Sequence, residues 1–114
     1  MGKAILRRHQ FFINNRGVAS VIPSPSHWVE GIVWALTAED EQRLDGFEGV
    51  EDGFYTKVWL TVQRDDGQPL EALVYVASST EVGKPRPGYL DRIAENAIRH
   101  GFSDRYIAYL RSLS

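Results

Sequence analysis

The sequence contains no cysteine, which excludes a disulfide framework, a thiolate metal site and a thiol nucleophile. It also lacks an excess of one charge, because 13 lysines and arginines stand against 15 aspartates and glutamates. The net charge of -2 gives no broad basic surface that would attract nucleic acid, so no nucleic-acid partner is expected. No apolar run approaches the roughly 20 residues of a membrane helix, and no signal-peptide core follows Lys3. We therefore expect a cytoplasmic protein with no membrane partner.

What the chain does contain is typical of one folded domain. Its 114 residues lie near the commonest domain size, and 43% hydrophobic with 25% charged residues suit a globular core. The proline-containing stretches 23–26 and 83–88 are short enough to be loops rather than linkers between domains. Residues 1–114 are therefore treated as a single domain.

Runs of β-branched and aromatic residues predict three strands in the first third of the chain. Residues 11–13 and 18–22 flank a turn at 14–17, and residues 29–36 form a longer strand. Because that third run is apolar nearly throughout, it predicts a strand that is buried on both faces.

Three helices follow from capping residues and from the spacing of apolar residues. Thr37 can cap a short helix that runs to about Leu44, with acidic residues in its first turn. A second, amphipathic helix ends at His100 and Gly101, and Ser103 can cap a third. The apolar faces of the last two helices comprise Leu90, Ile93, Ala94, Ala97 and Ile98, and then Tyr106, Ile107, Leu110 and Leu113.

Residues 54–63 and 70–77 predict a hairpin whose register depends on the turn. A two-residue turn would pair Val62 with Glu71 and place a carboxylate on the apolar face. A three-residue loop at 65–67, with Gly67 left-handed, pairs Val62 with Leu70 and separates the faces cleanly. We predict this second register. It gathers Tyr55, Lys57, Trp59, Leu73 and Tyr75 on the opposite face. The order of elements indicates an α+β domain with a small, mostly antiparallel β-sheet or barrel flanked by helices.

Glu48 is the candidate chemical group. Apolar neighbours such as Phe47 disfavour the ionised form of a carboxyl group, and a carboxylate tuned in this way can act as a general base or acid. The alternative is a loop glutamate that caps backbone amides or stays in water. His9, His27 and His100 show no ligand spacing, so no metal site is expected, and neither a phosphate loop nor a Ser-His-Asp arrangement is present.

Several segments together resemble the γ-glutamylcyclotransferase-like family, particularly its small bacterial members. The matching segments are 12–21, 29–34, 44–50, 53–55 and 72–75, in the family's order. Residues 87–90 and 106–107 match its C-terminal helices. The most specific motif is Leu-Asp-x-x-Glu-Gly at 44–49.

The resemblance implies a small β-barrel flanked by helices and a reaction of the transferase or lyase type. In that reaction the α-amine of a γ-glutamyl compound attacks the compound's own γ-carbonyl. The products are 5-oxoproline and a released amine or amino acid, and no cofactor is needed. Glu48 would carry the proton, and Tyr55 and Tyr75 would bind the substrate.

The family's first strand ends in a Tyr-Gly-Ser-Asn loop that does not occur in this sequence. The first strand is therefore expected to be missing, which would leave an open sheet edge. A start placed too far downstream, a truncated copy, and an edge covered by a second copy in a homodimer would each account for this. Two functions stay open: the cyclising enzyme, and a non-catalytic small-molecule-binding or protein-interaction module that keeps the fold.

Overall fold

The computed structural model describes residues 2–113, except for the side chain of Glu48. Its strands are β1 (Gly2–Ile13), β2 (Ala19–Val33), β3 (Tyr55–Arg64) and β4 (Pro69–Ala77). Its helices are α1 (Ala38–Glu48), α2 (Tyr89–Arg99) and α3 (Asp104–Arg111). The described strands form one antiparallel sheet in the order β2-β1-β3-β4. The predicted α+β class with an antiparallel sheet is confirmed.

The hairpin of β3 and β4 has the predicted register. Val58 lies opposite Val74, Leu60 opposite Ala72 and Val62 opposite Leu70. Gly67 is left-handed, with φ of 84°, and its amide donates to the Arg64 carbonyl at 2.9 Å. A three-residue loop therefore sets the register, and the alternating side chains follow from it.

The predicted loop at residues 23–26 is wrong, because these residues lie within β2. In the pairing with β1, His9 lies opposite Pro23 and Arg7 lies opposite Trp28. Four residues of β2, 24–27, therefore stand against the single residue Arg8 of β1. Arg8 takes the left-handed conformation, with φ of 60°. Proline has no amide proton to donate to a neighbouring strand, so strands tolerate proline mainly at edges and at bulges such as this one. The two strands predicted at 18–22 and 29–36 are thus one bulged strand.

The expectation that residues 29–36 are buried on both faces is also wrong. The strand ends at Val33, its last residues are only half-buried, and Trp34 is 59% exposed. Among the described residues, β2 pairs only with β1 and forms an edge of the sheet. One side of the strand therefore remains open.

Two apolar clusters hold the domain together. Helices α2 and α3 contribute Ala97, Tyr106, Ile107 and Leu110, which pack against Phe11 and Trp28 of the sheet. The sheet contributes a second cluster of Ala4, Leu6 and Val62. The predicted amphipathic faces of α2 and α3 are confirmed except at Ile98, which is exposed. None of the described helices is long and apolar enough to cross a membrane.

Candidate functional site

Helix α1 carries the segment that the sequence singles out. It begins with a reciprocal cap in which the Thr37 hydroxyl accepts from the Asp40 amide at 3.1 Å and the Asp40 carboxylate accepts from the Thr37 amide at 3.2 Å. It ends at left-handed Gly49, with φ of 68°. The helix is therefore about one turn longer than predicted, and Glu48 is its last residue rather than a loop residue. The Glu48 side chain lies outside the described part of the structure.

Replacing the cap of this helix should have a modest effect. Thr37→Ala removes the hydroxyl acceptor and is expected to lower the free energy of unfolding by about 1 kcal/mol. Urea unfolding followed by circular dichroism measures the change. Thr80→Ala, at an exposed position with no regular secondary structure, should leave stability unchanged. Equal stability of Thr37→Ala and the wild type would contradict the role of the cap.

One face of α1 is bonded to the face of the β3–β4 hairpin that bears Lys57 and Tyr75. Helical spacing places Glu41, Asp45 and position 48 along one side of the helix. Lys57 of β3 donates to Glu41 Oε2 at 2.6 Å and to Asp45 Oδ2 at 2.9 Å. The hydroxyl of Tyr75, opposite Lys57 in the hairpin, donates to Asp45 Oδ1 at 2.7 Å. These bonds fix the rotation of α1 and hence the side on which position 48 lies.

The protonation states in this network are well defined. The hydrogen bond from Tyr75, together with that from Lys57, holds the pKa of Asp45 below its ordinary value. Hydrogen bonds to Glu41 and Asp45 raise the pKa of Lys57. Burial, reinforced by the bond to Asp45, raises the pKa of Tyr75 to about 12. Asp45 is therefore ionised and Lys57 charged at neutral pH, so the network holds the helix rather than exchanging protons.

The lowered pKa of Asp45 makes its contribution to stability depend on pH. A carboxylate with a depressed pKa stabilises the folded state above its ordinary pKa of 3.8, and the contribution is lost as pH falls through the folded value. Asp45→Asn should therefore be less stable than the wild type at neutral pH, with the difference shrinking in acid. Urea unfolding from about pH 7 to about pH 3 measures this. A difference independent of pH would contradict the argument; Asp52→Asn, at an exposed turn residue, is the matched control.

The two tyrosines predicted at the site share one face of the hairpin, but their hydroxyls have different partners. Tyr75 bonds Asp45, whereas the Tyr55 hydroxyl donates to the Ala19 carbonyl at 2.9 Å. The amide of Ala19 in turn donates to the Tyr89 hydroxyl at 3.1 Å. The backbone at the start of β2 thus joins Tyr55 to Tyr89, which lies in the segment 87–90 that resembles the family. A role for Tyr55 and Tyr75 in substrate binding stays a prediction.

Phe54 connects the end of α1 to the turn between β1 and β2. A Cβ atom on Gly49 would lie 2.6 Å from Phe54 Cδ2, so the ring packs directly against the residue after Glu48. The guanidinium carbon of Arg16 lies 4.0 Å from the centroid of the same ring. Sequence reasoning missed Arg16 because no local pattern relates residues 16, 49 and 54.

An open apolar cavity of about 830 Å³ adjoins the α1 network. Glu41, Leu44 and Tyr75 line it where α1 crosses the hairpin, and residues from all four strands and from the segment after β2 line the remainder. Within the described residues, neither β2 nor β4 has a second strand neighbour, so both edges are open there. No group of three or more histidine, aspartate or glutamate side chains in the described part of the chain could hold a metal ion.

The architecture is that of the γ-glutamylcyclotransferases. A solved gamma-glutamyl cyclotransferase structure matches with a TM-score of 0.91 and 23% identity, covering 100% of this chain and 73% of that one. The crystal structure of an uncharacterized protein from Homo sapiens matches with a TM-score of 0.90 and 25% identity, with the same coverage. The four-stranded sheet and its three helices therefore define the fold class.

The sequence comparisons place the chain more narrowly. Residues 28–110 match the AIG2-like family. A gamma-glutamylcyclotransferase from Bos taurus is 30% identical over 97 residues, and the one from Homo sapiens is 28% identical. These alignments cover 85% of this chain and 52% of each relative, so the chain spans about half the length of the curated relatives it matches. The chain belongs to the AIG2-like family and is γ-glutamylcyclotransferase-like, as its motifs predict.

Proposed function

We propose that this protein cyclises a γ-glutamyl amide to 5-oxoproline and releases an amine or amino acid. The observation that carries the proposal is the placement of the Leu44–Gly49 motif at the end of α1. There, bonds from Lys57 and Tyr75 to Asp45 fix the helix over the strand that bears Tyr55. The relatives named gamma-glutamylcyclotransferase support the same reaction.

The proposed chemistry needs one proton carrier and no cofactor. The substrate's α-amine is mostly protonated at neutral pH and must lose a proton before its nitrogen can attack. Glu48 accepts that proton, and the nitrogen bonds to the γ-carbonyl carbon and closes the five-membered ring. Glu48 returns that proton to the leaving nitrogen as its bond to the carbon breaks, which frees the amine. The new ring nitrogen then gives up its second proton through Glu48, and the free amine takes up this proton to become an ammonium ion. All atoms of the substrate appear in 5-oxoproline and the released amine.

The tyrosines have distinct proposed parts. Tyr55 stands at the start of β3, beside the end of α1, and is proposed to bind the γ-glutamyl group. Tyr75 lines the cavity while its hydroxyl is bonded to Asp45. Its ring would therefore pack against the bound substrate, and its hydroxyl would hold α1 in position.

Product formation tests the proposal directly. Purified protein is incubated with γ-glutamyl amino acids and with γ-glutamylamines, and 5-oxoproline is quantified by mass spectrometry against a protein-free blank. We expect 5-oxoproline from at least one of the two classes. If neither class gives product above the blank at high protein concentration, the enzyme proposal fails for this chain.

A non-catalytic binding or interaction module is the second candidate, and the open cavity favours it. Trp34 and Trp59, 59% and 65% exposed, lie at the cavity between the unpaired edges of β2 and β4. Exposed edges and apolar side chains of this kind bind added strands or partner surfaces. We propose a second copy of the chain as the partner, forming a homodimer.

Light scattering after size-exclusion chromatography tests the homodimer. The wild type should elute as a dimer, and Trp34→Ser with Trp59→Ser should shift it to the monomer because both changes remove apolar surface from the cavity. A wild-type monomer at every concentration would contradict the dimer. The exposed change Ile98→Ser, on α2, is the matched control.

A further inference from the structure

Arg16 holds a defined position above an aromatic ring. Its guanidinium carbon lies 4.0 Å from the centroid of the Phe54 ring, which is a close cation–π contact. A planar guanidinium placed over a ring keeps its N–H groups pointing outward, where they can bind a planar anion. The position of this cation is therefore set before any ligand arrives.

The turn that carries Arg16 is also rigid. The buried side chain of Asn14 accepts hydrogen bonds from the amides of Arg16, at 3.0 Å, and Val18, at 3.4 Å. Gly17 is left-handed, with φ of 78°, and a Cβ atom there would lie 2.8 Å from Arg86 Cγ. Because the backbone is held on both sides, little conformational freedom would be lost when Arg16 binds a ligand.

Phe54 links Arg16 to the end of α1. The ring of Phe54 contacts both the guanidinium of Arg16 and Gly49, the residue after Glu48. Arg86 lies against the same turn. Its Nε donates to the Arg16 carbonyl at 3.1 Å, and its own carbonyl accepts from the Tyr89 amide.

Both arginines lack a carboxylate partner in the described part of the chain, where the ion pairs are formed by other residues. The carboxylate of Glu81, which reaches this turn from the loop after β4, accepts from the Asn15 side chain at 2.9 Å. Arg86 reaches the turn of Arg16 from the loop after β4. Two guanidinium groups that meet in this way, with no described carboxylate on either, favour the binding of an anion. Every γ-glutamyl compound carries an α-carboxylate, and one with an amino-acid leaving group carries a second.

We propose that Arg16 binds a carboxylate of the γ-glutamyl substrate, with Arg86 adding positive charge at the same border. This inference rests on the proposed function and specifies how an anionic substrate would be held beside Glu48. The bound group is a carboxylate, either the α-carboxylate of the γ-glutamyl part or the carboxylate of the leaving amino acid.

Steady-state kinetics of Arg16→Gln with two substrates separates these sources. Loss of a charge-assisted hydrogen bond should raise KM by about 10- to 100-fold and change kcat little. A rise with both a γ-glutamyl amino acid and a γ-glutamylamine assigns the α-carboxylate, and a rise with the amino acid alone assigns the leaving group. Arg16→Lys keeps the positive charge but loses the paired N–H donors of the guanidinium, so it should give an intermediate KM. An unchanged KM with both substrates would overturn the inference.

Two controls separate binding from folding and from turnover. Arg99→Gln removes an exposed cation ten residues along α2 from Tyr89, about 15 Å away, and should leave KM unchanged. If the wild type turns over neither substrate, calorimetric binding of a γ-glutamyl amino acid, which carries both carboxylates, decides the matter. Binding that is lost in Arg16→Gln supports the inference although cyclisation fails. Equal binding by both proteins, or none by the wild type, overturns it.

Discussion

Glu48→Gln is expected to reduce the rate of 5-oxoproline formation by about 100-fold or more, the range found when a general base is removed. Glutamine has nearly the same size and shape as glutamate but cannot take a proton from the substrate's α-amine. The loss should therefore fall on kcat, while the binding of substrate changes little. Quantifying 5-oxoproline over time at saturating substrate measures it.

Glu51→Gln is the control for this result. Glu51 lies three residues further along the chain, is exposed, and its substitution makes the same change in charge. It should keep the activity of the wild type. Circular dichroism and thermal unfolding would show whether Glu48→Gln is folded. A folded Glu48→Gln variant that retains wild-type activity would contradict the role proposed for this carboxylate.

The two glycines of the Leu44–Gly49 motif should respond oppositely to alanine. Gly46 lies inside α1, and a Cβ atom there would meet nothing within 4 Å, so Gly46→Ala should raise the free energy of unfolding by about 1 kcal/mol. Gly49 has φ of 68°, and its Cβ would lie 2.6 Å from Phe54. Gly49→Ala should lower the free energy of unfolding by about 2 kcal/mol through backbone strain and displacement of the ring.

Urea unfolding of the two variants side by side gives a difference of about 3 kcal/mol between substitutions three residues apart. Each variant is the other's control, because the chemical change is the same. Gly49→Ala should also lose activity, since the ring of Phe54 and the end of α1 move together. Equal stabilities of the two variants would contradict the assigned end of the helix.

Local rules in the sequence predicted the hairpin and the late helices. The turn at Gly67 and the separation of faces decide the pairing of Val62 with Leu70 without reference to the rest of the chain. The extent of β2 could not be predicted in this way. Pro23 and Pro25 indicate a loop locally. Only pairing with β1 shows that they lie within a strand, with Pro23 opposite His9 and Pro25 in the bulge.

The sequence predicts where the candidate site lies, and that position stays a prediction. The contacts that hold the surrounding elements in place could not be predicted. The motif identifies Glu48, and the hairpin register places Tyr55, Lys57 and Tyr75 on one face. The partners of Lys57 were not predictable, because helical spacing puts Glu41 and Asp45 on the same side without saying what that side faces. The contact of Arg16 with Phe54 depends entirely on tertiary packing.

The central claim is intramolecular cyclisation, and an isotope label tests it most directly. A γ-glutamyl amino acid carrying ¹⁵N in its α-amine is incubated with the wild type, and the products are identified by mass spectrometry. We predict ¹⁵N-labelled 5-oxoproline and an equal amount of unlabelled amino acid, formed faster than in the blank. Labelled glutamate as the product, or no product above the blank, would contradict the claim.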